Sequence, residues 1–223
     1  DRLNRMSAGV YELGSICKSF TFAMALDSGA VSINSSIDAS RPIRVGGHTI
    51  SDFHGKYRVL SVPEVFIYSS NIGSAKMAMM VGHQGQQDYL RKFGFYDRSK
   101  TELPEVADTL IPSKWSDATA MTVAFGHGLA VTPLQVAVAD AALVNGGKLI
   151  PPTFLPRSEA DAEKVAVQVV SPQTSRDMRH LFTLNVEKGS GRRAAVPGYN
   201  VGGKTGTAEK VVNGRYASNV RLN

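Results

Sequence analysis

The sequence predicts an α+β fold, helix-dominant, with a few strands near its end. Three observations carry this. Helical patterns recur along the first 190 residues, the one over 15–28 apolar-rich and without internal Gly or Pro, and Pro and Gly punctuate helix starts and stops. Extended, β-branched pieces concentrate at 165–170 and 200–217, the second around Asn213-Gly214, a strong hairpin signal. At 223 residues with 43% hydrophobic and 20% charged residues, the chain can bury a core, which excludes a disordered segment.

The elements follow in order. Residues 15–28 carry Ile16, Phe20, Phe22, Ala23, Met24 and Leu26 in a helical pattern that stops at Gly29. Residues 30–60 read as irregular, with turns at Arg41-Pro42 and Gly46-Gly47. Pro63 suits the first turn of a helix that ends near Ser69-Ser70-Asn71. Helices over 72–81 and 86–93 follow, then a loop over 96–113 and a short helix over 115–124, broken at Gly126-His127-Gly128. Thr132-Pro133 reads as N-cap and first helical residue of a helix ending at Asn145-Gly146-Gly147. Residues 148–170 hold short strand-like pieces, chiefly Val165–Val170, and Ser171-Pro172 opens a helix to about Val186. Strands are expected at 200–209 and 210–217. No internal repeat or low-complexity segment is present.

Charge and composition narrow the function. The net charge is +6, but the basic residues are scattered and no nucleic-acid motif accompanies them. A solvated basic surface, or attraction to a polyanionic envelope or acidic substrate, accounts for the excess. The single cysteine, Cys17, rules out an internal disulfide and a Cys-based zinc site. The five histidines lack metal-binding spacing, so no metal is expected. No apolar run approaches the ~20 residues of a membrane span, and no signal peptide is visible.

Three short stretches carry chemistry. In Ser15-Ile16-Cys17-Lys18, the Ser and Lys three apart share one helix face. A serine hydroxyl needs a base beside it, and a lysine serves only if burial or a nearby cation lowers its pKa. Ser-x-x-Lys arises by chance about once in a chain of this length; Gly14 strengthens it by allowing a sharp turn into the helix. Ser69-Ser70-Asn71 offers hydroxyls to relay a proton and an amide to bond a lysine and a substrate carbonyl, or else forms a polar loop or helix cap. Lys204-Thr205-Gly206-Thr207 is the most specific, since Lys-Thr-Gly arises by chance on the order of once in twenty such chains. In extended conformation, Lys204 and Gly206 share one face and Thr205 and Thr207 the other. There Lys204 and Thr205 could fix a carboxylate, Gly206 keeps the face clear, and the N–H groups of Thr207 and Ser15 could form an oxyanion hole. A solvated lysine in a turn is the plain alternative. Gly198–Gly206 is no P-loop and Gly189-Ser190-Gly191 no lipase elbow.

With the motifs in order, the chain resembles the class B penicillin-binding proteins, division-specific branch. Tyr11-Glu12-Leu13-Gly14-Ser15 is similar to the family's Tyr-Glu-Pro-Gly-Ser lead-in, with Leu13 for proline. Phe125 through Gln135 is similar to its Gly-Gln-Gly-x-x-Val-Thr-Pro-Leu-Gln segment, with His127 for glutamine. Gly189-Ser190-Gly191, Pro197-Gly198-Tyr199 and Gly202 through Lys210 complete the match. The resemblance implies a peptidoglycan D,D-transpeptidase of septal wall synthesis. Ser15 would attack the penultimate D-alanine carbonyl and Lys18 would take its proton. Ser69 and Asn71 would assist, and Lys204, Thr205, Gly206 and Thr207 would bind the terminal carboxylate and line the oxyanion site.

No cofactor is implied. Implied partners are peptidoglycan stem peptides, β-lactam antibiotics and, for the full-length protein, membrane proteins of the division machinery. The implied location is the bacterial inner membrane with a periplasmic catalytic domain. The family's fold is a five-stranded antiparallel sheet with flanking helices, and some of its strands precede Ser-x-x-Lys or follow Lys-Thr-Gly. Residues 1–223 therefore read as a fragment of one transpeptidase domain, mostly its helical part with an incomplete sheet. The 200–217 region is expected to pair with another molecule or not at all. A serine β-lactamase, with Glu102 or Glu105 as its acid despite a Leu-Pro context that does not match, and a non-catalytic β-lactam sensor or scaffold of the same fold remain as alternatives.

Overall fold

The structure is a computed structural model that describes residues 3–212 and 215–222, the backbone alone from residue 208 onward. A short strand β1 (Tyr11–Glu12) leads into one turn of 3-10 helix (Gly14–Cys17) and directly into α1 (Lys18–Asp27). Helix α1 is buried on every side from Lys18 to Ala25, so it forms the axis of the core rather than a surface layer. Gly29, at φ +73°, closes its end in the left-handed conformation the sequence assigns to it.

Residues 30–60, expected to be irregular, instead take part in two short antiparallel ladders. Strands β2 (Ser36–Asp38) and β5 (Val59–Ser61) pair, and between them β3 (Ile43–Val45) and β4 (His48–Ile50) form a hairpin. Gly46 and Gly47 both take positive φ, which is the tight hairpin turn Gly-Gly permits. Three-residue strands are too short for alternation to be legible in sequence.

Helix α2 (Val62–Ile67) starts where Pro63 indicates, capped reciprocally by Ser61 and Glu64. It ends at Ile67, before the Ser69-Ser70-Asn71 turn. Helices α3 (Asn71–Val81) and α4 (His83–Lys92) follow, then a long loop and α5 (Asp117–Val123). Strand β6 (Ala130–Val131) pairs with β1. Helix α6 (Pro133–Val144) opens with a second capping box: Gln135 N–H donates to Thr132 Oγ1 at 3.2 Å and Thr132 N–H to Gln135 Oε1 at 2.9 Å. The Gln135 amide also donates to the carbonyls of Gly94 and Asp97, which ties this segment to the end of α4.

The strand expected over Val165–Val170 is corrected. Strand β7 (Lys148–Leu149) pairs with β8, which covers only Val167–Gln168, and Val165 ends a helix α7 (Glu159–Val165) capped by Ser158. Helix α8 (Pro172–Lys188) runs two residues past its expected end. Strands β9 (Ala208–Val212) and β10 (Arg215–Leu222) pair with each other, so the expectation that this region finds no partner within the chain is also corrected. The Asn213-Gly214 turn lies outside the described residues. Residues 201–207, expected in a strand, run extended without a ladder partner. Among the described residues the ladders are all two-stranded, with no five-stranded sheet.

The core is aromatic around α1. Phe20 meets Phe95 edge-on at 4.8 Å, and Phe22 meets Phe66 at 5.0 Å, which in turn meets Phe182 of α8 at 5.7 Å. Each fully buried Phe contributes about 1.5–3 kcal/mol. These contacts seat α2 and α8 against α1.

Candidate active site

The turn that carries Ser15 is shaped by glycines. Gly14 takes φ +51° and donates its N–H to Gly126 O at 3.2 Å. A Cβ on Gly126 would stand 1.9 Å from Gly14 O. Glu12 binds the same loop through Gly128 N–H at 2.8 Å and through His127 Nδ1 at 3.2 Å. The lead-in and the Gly126-His127-Gly128 break are thus two halves of one clamp on Ser15.

Lys18 has no solvent exposure. Its Nζ lies 3.1 Å from Ser15 Oγ, 3.0 Å from Ser69 Oγ and 2.5 Å from Ser69 O. Burial, and then the charge of Lys204, hold its pKa well below the ordinary lysine value; Asp52 and Cys17 oppose this weakly. Lowering the pKa raises the share of neutral amine, whose lone pair can accept a proton from a neighbouring hydroxyl. Neighbouring Cys17 is no rival nucleophile. Its thiol donates to Val123 O, and burial pushes its pKa up to about 12.

Ser69 occupies a strained position, with φ +54° on a non-glycine residue. That geometry presents both its carbonyl and its hydroxyl to Lys18. The hydroxyl is also 3.0 Å from Lys204 Nζ, so one oxygen sits between two amines. Asn71 departs from its expected contact: its Nδ2 donates to Ser51 O at 3.0 Å, while the three bonds of Lys18 go to Ser15 and Ser69.

Lys204, Thr205 and Gly206 reach the site although they lie in no ladder. The expected alternation still holds. Lys204 turns to Ser69 and Gly206 packs on Ile16, where a Cβ would come within 2.6 Å of Ile16 Cγ1. Thr205 turns the other way, its Oγ1 2.6 Å from Ser190 Oγ. Thr207 is exposed at the end of the segment. Burial lowers the Lys204 pKa to about 8.

The sequence reading missed Asn185 and Ser190. Asn185 is fully buried on α8; its Nδ2 donates to Gly203 O at 2.8 Å, and its Oδ1 accepts Ser190 N–H at 3.1 Å. Gly203 N–H in turn donates to Phe182 O. A polar Asn on the stripe Met178, Leu181, Phe182, Val186 was the available signal. Glu102, the β-lactamase candidate, accepts from Phe154 N–H and the Thr153 hydroxyl and so braces a distant loop. Among the described residues, no group of three or more His, Cys, Asp or Glu is placed to hold a metal.

A serine, two amines of depressed pKa and a shared hydroxyl thus stand in hydrogen-bond contact on an α+β scaffold. The chain belongs to the family described as "Penicillin binding protein transpeptidase domain", whose family model matches residues 1–221. It is 43% identical over 212 residues to "Probable peptidoglycan D,D-transpeptidase FtsI" of Caulobacter vibrioides, covering 94% of this chain and 36% of that protein. It is 34% identical to "Probable peptidoglycan D,D-transpeptidase PenA" of Neisseria meningitidis serogroup A, covering 99% of this chain and 38% of that protein. The chain thus spans a little over a third of these curated relatives. The apo transpeptidase domain of Burkholderia pseudomallei penicillin-binding protein 3 superimposes with a TM-score of 0.90 at 33% identity, covering 98% of this chain and 66% of that one.

Proposed function

We propose that residues 1–223 are part of one transpeptidase domain and carry the acyl-transfer site of a peptidoglycan D,D-transpeptidase of the division-specific type. The observation that carries this reading is the chain of contacts Ser15 Oγ–Lys18 Nζ–Ser69 Oγ–Lys204 Nζ, at 3.1, 3.0 and 3.0 Å. Neutral Lys18 takes the Ser15 proton as Oγ bonds to the penultimate D-alanine carbonyl carbon. The C–N bond to the terminal D-alanine then breaks. The proton reaches the departing amine through Lys18 and Ser69, leaving an ester on Ser15. An amine of a neighbouring stem peptide attacks the ester, loses its proton along the same path and restores the serine. Lys204, still largely cationic at neutral pH, attracts the substrate carboxylate by its charge, and the Thr205 hydroxyl, on the other face beside Ser190, receives it. Gly206 keeps room beside Ile16, and Thr207 and Ser15 supply N–H groups to the oxyanion. Asn71, bonded to Ser51 O, assists from the start of α3.

β-Lactams acylate the same serine on this reading. The whole protein works at the cell wall, anchored in the bacterial inner membrane with this region periplasmic, among the membrane proteins of division. Among the described residues, no helix is long and apolar enough to cross a membrane. The test is incubation of the intact protein with a stem-pentapeptide donor and a D-amino-acid acceptor. Exchange of the terminal D-alanine, lost in Ser15→Ala, is expected. Rapid turnover of nitrocefin with no exchange would instead make the protein a β-lactamase.

A further inference from the structure

Asp52 lies in the loop after β4, outside all three motifs, yet its carboxylate closes on the turn that carries Ser69. Its Oδ2 accepts the Ser70 hydroxyl at 2.7 Å and its Oδ1 accepts Ile72 N–H at 3.0 Å. The Ser70 oxygen in turn accepts Gly73 N–H at 2.9 Å, so the two side chains together satisfy two of the free N–H groups opening α3. A carboxylate there is also favoured by the helix dipole. The bond from Asn71 Nδ2 to Ser51 O ties the same loop to the same turn from the other side.

The turn needs holding. Ser69 sits at φ +54°, a conformation costing on the order of 1–2 kcal/mol for a residue with a Cβ. Its N-terminal side is fixed by α2, through Ser69 N–H to Phe66 O at 3.1 Å and Ser70 N–H to Val65 O at 3.0 Å. Its C-terminal side is fixed by Asp52 and by the Ser70 cap that Asp52 orients. Relaxation of that side would turn Ser69 O and Oγ away from Lys18 and Lys204.

We propose that Asp52 is a positioning residue for acyl transfer: by clamping Ser70 and Ile72 it holds Ser69 in the strained geometry that joins Lys18 to Lys204. This rests on the acyl-transfer reading of the site. Asp52 acts through Ser69 and touches neither the nucleophile nor the substrate. Its charge also bears on the base. The charged groups acting on Lys18 are Lys204, which lowers its pKa, and Asp52, which raises it; the neighbouring Cys17 is a neutral thiol. Removing the carboxylate therefore moves the Lys18 pKa further down.

The test is the rate of acylation of the intact protein by a fluorescent penicillin across pH, per folded molecule, for wild type, Asp52→Ala, Asp52→Asn and Ser15→Ala. Asp52→Ala should slow acylation on the order of 10²-fold, the size of an ångström-scale misplacement. Asp52→Asn, which keeps an acceptor oxygen, should recover part of the loss. In both, the acid limb of the profile should move to lower pH, which a role in folding alone would not produce. If Asp52→Ala does not fold, Asp52→Asn carries the test through the same shift. Wild-type rates and an unmoved acid limb in the variants that fold would overturn the role of Asp52 alone. Failure of the wild type to label would overturn the acyl-transfer reading and this role with it.

Discussion

The two sides of the Ser15 site are built by different physics. Ser15, Lys18 and Ser69 sit on or between helices at the edge of the core, where Lys18 is fully buried and the Gly14–Gly126 contact leaves no room for a methyl group. Lys204 sits on an extended segment without a ladder partner, held by Asn185, by the Phe182 carbonyl and by the Ser190–Thr205 contact. On the first side, the placement of reactive atoms is a by-product of packing. On the second, it depends on a few polar contacts from α8. A nucleophile and base need sub-ångström register, whereas a cation that binds a carboxylate works over a wider range of positions.

The largest expected effect lies on the packed side. Gly126→Ala places a methyl against the Gly14 carbonyl at φ +95° and should destabilise the fold by about 4 kcal/mol or more, with loss of penicillin labelling. Denaturant melts check this, and wild-type stability would remove the distinction between the two sides. Asn185→Ala should cost about 1–3 kcal/mol, the penalty for stranding the buried groups it satisfies. It should weaken substrate binding more than it slows acylation, seen as a rise in KM larger than the fall in kcat. A fall confined to kcat would mean that α8 also positions the nucleophile.

A smaller, graded effect is expected with pH. Lys204 is protonated below about 8 and neutral above it. Capture of a carboxylate should therefore weaken as pH rises through about 8. Acylation should also fall at acid pH, as Lys18 gains a proton. A profile of kcat/KM for penicillin acylation tests both limbs. A flat profile up to the ordinary lysine range would contradict the lowered Lys204 pKa.

The same division explains what was legible in the sequence. Helix starts at Pro63, Pro133 and Pro172 were readable because caps and proline act locally. Ser15, Lys18 and Ser69 were readable because motif spacing fixes their neighbours, and the structure brings them together. The short strands around residues 36–61 were not, since three residues carry no usable period. Helix α7 was hidden because Glu159–Val165 buries no residue and so shows no apolar face. For Lys204 the alternation of side chains was right and the strand was wrong, because alternation follows from extended backbone and a ladder needs a partner. Asn185 and Asp52 act across 18 to 20 residues or more, at separations no local pattern reports.

The proposed chemistry places the ester on Ser15, with Lys18 as its base. The direct measurement is peptide mapping by mass spectrometry after reaction of the intact protein with benzylpenicillin. The account predicts one penicilloyl adduct, on the peptide containing Ser15, and none in Ser15→Ala. An adduct on another residue, or none on the folded wild-type protein, would contradict it.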